Sequence, residues 1–199
     1  MKRRLVLGAA LGATACSVLP SQNYLERRNW PMAVTRETVL PPRPGGRVLL
    51  VRSIQAGPEL ATRGLQVIQA DGSVKSEFYE QWAVPPADGV DDDLRRWLAA
   101  SGLFGAVIAP GSRLTADLVL EGELTALNAD LRTRTARMAL ALTLIDQHPT
   151  PARVLMQRTE AEAAPLDGVD PPALARAQLA AVQAVLRQTE ADVAAALRA

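Results

Sequence analysis

Apolar residues recur in two rhythms along this chain, alternating in some stretches and returning every three or four positions in others. Arg47-Val48-Leu49-Leu50-Val51-Arg52-Ser53-Ile54 follows Gly45-Gly46 and is β-branched and Leu-rich, which predicts a strand buried on both faces. Gly64 to Gln69 is a second extended run. It meets Asp71-Gly72 and continues as Val74 to Trp82, which predicts a β-hairpin because Asp-Gly readily takes the positive φ of a tight turn. In its second arm, alternation puts Phe78, Glu80 and Trp82 on one side and Tyr79 and Gln81 on the other. Pro85-Pro86 ends that strand, since proline cannot donate to the ladder.

The rhythm then changes. Val90, Leu94, Trp97 and Leu98 share one helical face, and Gly102 supplies a stop. Asp91, Asp92 and Asp93 are expected in the first turn of this helix, where the positive end of the dipole favours anions. Adjacent helical carboxylates diverge, so dipole complementation is preferred to a metal site. A short strand at Leu103–Ala109, a long one at Leu114–Leu127 and further strands at Arg134–Asp146 and Val154–Thr159 follow, separated by turn-forming residues. Such short connections predict antiparallel neighbours. Asp170-Pro171 then opens a helix whose apolar face carries Ala175, Leu179, Val182, Leu186, Val193 and Leu197, opposite Arg176, Gln183, Arg187 and Glu190. The expected fold is α+β: a mostly antiparallel sheet of about six or seven strands with two packed helices.

Residues 76–110 hold Phe78, Tyr79, Trp82, Trp97 and Phe104, most of the large rings in a chain with 3 Trp, 2 Tyr and 2 Phe. They are expected to join helix to sheet. Trp82 is the exception, since its place at a strand end makes it a candidate contact for a partner or a lipid.

The N-terminus has a different character. Residues 1–15 combine Lys2, Arg3 and Arg4 with a short apolar run, the pattern of a secretion signal too short to span a bilayer. Ala13-Thr14-Ala15-Cys16 resembles a bacterial lipobox, which makes Cys16 the expected lipidation site. Cys16 is the only cysteine, so no disulfide forms within the chain. Residues 16–46, with Pro20, Pro31, Pro41, Pro42, Pro44 and Gly45-Gly46, read as a lipidated tether to a domain of residues 47–199. Tyr24, Leu25 and Trp30 are apolar enough to cover one side of that domain.

A formal charge of +1, with no sustained Lys/Arg run, argues against nucleic-acid binding. His148, the single histidine, lies in a Pro-flanked turn where a solvated loop residue outweighs a general base. Glu121 and Glu123 share a strand face that reads as a solvated edge. No phosphate-binding loop, nucleophile elbow or metal-ligand spacing is present in the sequence. No enzymatic activity, cofactor or metal is expected.

The order of a Leu-rich strand, Gly57-Pro58-Glu59-Leu60-Ala61-Thr62-Arg63-Gly64, the Asp-Gly hairpin, Phe78-Tyr79-Glu80-Gln81-Trp82-Ala83 and the Asp92-to-Val107 helix–turn segment resembles the ABC-type transport auxiliary lipoprotein family, which includes PqiC-like lipoproteins. Ala116 to Gly122 and the C-terminal helix continue the likeness. The resemblance implies a non-enzymatic, lipid-anchored periplasmic component, held at the outer membrane, of an MCE-type ABC lipid-transport system. Its implied partners are an MCE-domain substrate-binding protein and the permease and ATPase. Phospholipid or another apolar cargo would pass between the inner and outer membranes, and homo-oligomerisation stays open. The alternative is a stand-alone carrier that holds a lipid between sheet and helices.

Overall fold

The computed structural model describes residues 25–148 and 150–198. Among these residues nine strands form a single sheet, and two α-helices pack on it. The strands are β1 (Arg28–Trp30), β2 (Val48–Val51), β3 (Gln55–Ala56), β4 (Gly64–Ile68), β5 (Val74–Trp82), β6 (Ala106–Ile108), β7 (Leu118–Asp130), β8 (Thr135–Asp146) and β9 (Arg153–Pro165). The helices are α1 (Pro86–Ala99) and α2 (Pro171–Ala196).

β7 is the spine of the sheet. One of its edges pairs along its whole length with β8, which pairs in turn with β9, and both pairings are antiparallel. Its other edge is shared by β2, β3 and β4, which meet it in succession and all run parallel to it. β6 extends this side by pairing parallel with β2, while β5 and β1 extend it beyond β4. The fold is therefore α+β, but its sheet is mixed, and the expectation of a mostly antiparallel sheet of six or seven strands is corrected. The meander holds for β7, β8 and β9, whose turns are short enough to enforce it. β2 and β6 are instead joined through a hairpin and α1, and a crossover of that length permits parallel pairing.

Inward residues of the long strands follow period two. Leu118, Leu120 and Leu124 of β7 are fully buried, and a register shift between Leu124 and Ala126 then moves Leu127 and Ala129 inward. Such an irregularity switches which parity faces the core. Ala136, Met138, Leu140, Leu142 and Leu144 of β8 face the same side. Against them α2 lays Ala181, Val182, Val185, Leu186 and Val193, and α1 lays Val90, Leu94, Trp97 and Leu98. α2 begins as its sequence implies, with the Asp170 side chain accepting the Ala173 N–H at 3.0 Å and prolines in the first turn.

The folded unit also takes in residues that the sequence assigns to a tether. β1 adds to the sheet edge beside β5, and Met32 and Val34 enter the core. The Leu40 N–H donates to the Ala100 carbonyl at 2.9 Å, and that of Arg43 to Phe104 at 2.8 Å. Residues 28–46 thus form a strap across α1. Tyr24, Cys16 and the signal segment lie outside the described residues.

Candidate functional site

Trp97 and Phe104 form the expected seam, each 3% exposed. Trp82 is 1% exposed, so its placement as a partner or lipid contact is corrected: β1 covers it, with Trp30 opposite it in the ladder. Phe78 and Tyr79 are the two rings that escape the core, at 58% and 41% exposure. The cause is local. Gly64 pairs with Gln81 but Gln66 pairs with Ser76, so two steps along β4 face five along β5 and three residues arch outward. Gly64 admits this arch, because a Cβ there would stand 2.5 Å from the Glu77 carbonyl oxygen. The Gln81 amide donates to the Phe78 carbonyl at 2.9 Å and braces the arch from within. Alternation fails across such a bulge, and the sequence carries no other sign of it than the glycine.

Asp91, Asp92 and Asp93 do not sit in the first turn of α1. That helix starts at Pro86, so Asp88 occupies the first turn and the triple lies one turn further on. Asp93 is fully buried and accepts the Val34 N–H at 3.1 Å, with Arg96 on its other oxygen. It pins the strap to α1. Asp91 pairs with Arg95 at 2.9 Å, while its Oδ1 has no partner. Burial holds both carboxyls above the usual range, against the opposing pull of Arg95 on Asp91 and of the Val34 N–H and Arg96 on Asp93. Among the described residues no group of three or more acidic, His or Cys side chains is placed to hold a metal ion.

A second lock on the strap is made by Glu190, which sequence periodicity assigns to the solvent face of α2. Its Oε2 accepts from Arg36 Nε at 3.0 Å and Trp97 Nε1 at 2.7 Å, and its Oε1 from Arg36 Nη2 at 3.1 Å. The bidentate pair joins strap, α1 and α2 through one carboxylate. Beside it lies an open cavity of ≈ 370 Å³ lined by Glu37, Thr38, Arg187 and Ala191 as well as these three side chains.

The sheet face away from the helices is polar. Glu121 and Glu123 share it as predicted, and with Arg52, Gln55, Thr143 and Gln157 they border a shallow groove of ≈ 640 Å³. Arg52 Nη1 meets Glu121 Oε1 at 2.7 Å. A third concavity, ≈ 530 Å³, lies where β9 meets the end of α2, lined by Arg158, Glu160, Glu162, Gln188 and Asp192. Glu160 is 7% exposed and its Oε1 lacks a partner. Burial, then the neighbouring Asp192 carboxyl, pushes it up to about 7, opposed by Arg158. His148 is solvated, its Nε2 3.9 Å from Asp117 Oδ1. Charged side chains border all three concavities, beside apolar ones such as Trp97, Ala191 and Ala194 in the first and Ala141 and Leu142 in the second, so each offers hydrogen-bonding groups to another molecule.

The fold and its surfaces define an α+β domain with a filled interior, open external concavities of mixed polar and apolar lining, and an N-terminal strap. The chain belongs to the ABC-type transport auxiliary lipoprotein component family, whose sequence profile matches residues 32–189. The matched region begins inside the strap, at Met32. Among solved structures the chain is similar to a Xanthomonas campestris protein of the DUF330 family, with TM-score 0.71 and 21% identity, covering 86% of this chain and 97% of that one. A Chlamydia trachomatis protein is similar at TM-score 0.56 and 10% identity, with 75% of this chain and 96% of that one covered. At such identities the likeness is one of fold. A comparison with curated proteins finds no match.

Proposed function

We propose that this chain is the lipid-anchored auxiliary component of an MCE-associated ABC transport system, working in the periplasm from the outer membrane. The family match over residues 32–189 carries the reading. The anchor is the acylated Cys16, and the tether is residues 16–27, since the strap is folded on to the domain from Arg28 onwards. Among the described residues no helix is long and apolar enough to cross a membrane, so membrane attachment in this reading depends on acyl chains, more than one of which gives stable anchoring.

The domain acts by docking an MCE-domain protein and thereby linking the permease and ATPase to the membrane that receives phospholipid or another apolar cargo. A filled interior supports docking over the carrier alternative. Leu94, Leu98, Leu120, Leu124, Leu140 and Leu186 occupy the space between sheet and helices where a carrier would hold its lipid. Interiors packed at crystal-like density leave no room for an acyl chain.

Two measurements test this reading. Cys16→Ala should move the protein out of the membrane fraction, and unchanged membrane association of that variant would remove the anchor from the account. Native mass spectrometry of gently purified protein should show no stoichiometric lipid beyond the covalent acyl groups. One bound phospholipid per chain would favour the carrier instead.

A further inference from the structure

The arch in β5 and the point where the tether reaches the domain come together in space. The Arg27 guanidinium lies over the Phe78 ring at 4.1 Å from its centroid, and Phe78 meets Tyr79 edge-on at 5.0 Å. Leu25, two residues ahead of Arg27, is 61% exposed. Arg27, Phe78 and Tyr79 therefore make an aromatic knuckle at the root of the tether, with the exposed Leu25 two residues along the chain from it. Its charges are mostly matched: Lys75 holds Glu77 at 2.8 Å, and Arg28 holds the buried Glu80, which also accepts from Trp30 Nε1 at 2.9 Å.

We infer that this knuckle is a membrane-contacting surface that seats in the interfacial layer of the bilayer holding the anchor. The inference rests on the anchor at Cys16. Chain length supports it, since the eleven residues from Cys16 to Arg27 can span at most about 40 Å. The knuckle is thus held within reach of the headgroups. At the effective concentration this sets, even weak insertion is populated.

The patch has the chemistry of an interfacial anchor. Aromatic rings collect at the headgroup level, and a phenol ring offers an apolar body with a polar tip. Arginine adds attraction to anionic phosphates, although the near balance of charge makes ring insertion the leading contribution. Area decides against a protein occupant. Two partly exposed rings and a leucine supply a few hundred Å² at most, well below the roughly 800 Å² per partner of a stable protein interface. The arch itself explains how two rings adjacent in sequence reach the same surface, which a regular strand forbids.

The experiment uses the full lipidated chain reconstituted in vesicles of phosphatidylethanolamine and phosphatidylglycerol. Because Cys16 is the only cysteine and is consumed by acylation, Phe78→Cys introduces a unique thiol for an environment-sensitive fluorophore. Leu114→Cys, exposed and just ahead of β7 at the opposite end of that long strand, serves as control. Spin-labelled lipid should quench the probe at position 78 about twofold or more over the probe at 114, as for groups 5–10 Å into the headgroup region.

Three results overturn the inference. Equal quenching at both positions in vesicle-bound protein refutes the knuckle contact and leaves the anchor standing. A blue shift at position 78 without lipid quenching means that a second copy or another protein covers it. Protein that fails to stay with the vesicles removes the anchor and this inference together.

Discussion

Replacing Glu160 by Gln should stabilise the domain at alkaline pH and flatten its pH dependence. Glu160 is buried at the β9–α2 junction beside Asp192 and titrates at about 7 instead of 4.5. A carboxyl whose folded pKa lies above its unfolded one binds more protons in the folded state, so stability is full below pH 4.5 and is lost as pH rises through 7. The whole displacement corresponds to about 3 kcal/mol. Water entering from the groove side screens the pair and reduces this to about 1–2 kcal/mol. Gln keeps the shape and removes the charge that faces Asp192. Urea midpoints of wild type and Glu160→Gln should coincide near pH 4 and separate by about 0.5–1 M at pH 8, the variant being the more stable. Asp91 and Asp93 are also raised by burial and add to the wild-type slope, so the difference between the two proteins isolates Glu160. Parallel pH profiles for the two would refute the reasoning.

Trp82→Ala should cost about 3–5 kcal/mol because it empties a core site, whereas Phe78→Ala should change stability by no more than about 0.5 kcal/mol. Chemical denaturation of both variants checks the contrast, and equal losses would contradict the placement of the two rings. Glu190→Ala should cost about 2–3 kcal/mol, since it leaves the Trp97 N–H and the Arg36 guanidinium without their acceptor. Limited trypsin digestion read by mass spectrometry should then show faster cleavage after Arg36, and unchanged cleavage would mean that the strap does not depend on Glu190.

How much of this could be read in the sequence depended on the range of the interaction. Asp71-Gly72 fixed the β4–β5 hairpin because the turn is made by the two residues themselves: Gly72 has φ +86, and the Asp71 carboxylate accepts the Ser73 N–H at 2.9 Å. The apolar face of α1 and the Asp170 cap of α2 were legible for the same reason. The parallel partners of β7 were not, because β2, β3 and β4 reach it from distant parts of the chain and no local rule encodes that meeting. Period two also misassigned Phe78, since the three extra residues that β5 carries between Ser76 and Gln81, opposite Gly64 to Gln66 of β4, cannot be counted from one strand alone.

The candidate surfaces follow the same division. Glu121 and Glu123 sit on one open face as their spacing implies. Glu190 and Asp93 look like solvated helix charges in sequence, yet each meets a strap that proline content assigns to a tether. Prolines at 31, 41, 42 and 44 are equally compatible with an extended segment that docks. What docks it is one carboxylate on each helix, Asp93 fully buried and Glu190 half-buried, and neither is marked by composition.

Affinity purification of the tagged, lipidated chain from envelope membranes, with its companions identified by mass spectrometry, tests the central claim most directly. An MCE-domain protein together with an ABC permease and its ATPase should be recovered with the wild type, and at strongly reduced yield with Cys16→Ala. Recovery of the wild-type chain from its membrane without any ABC transport component would contradict the account.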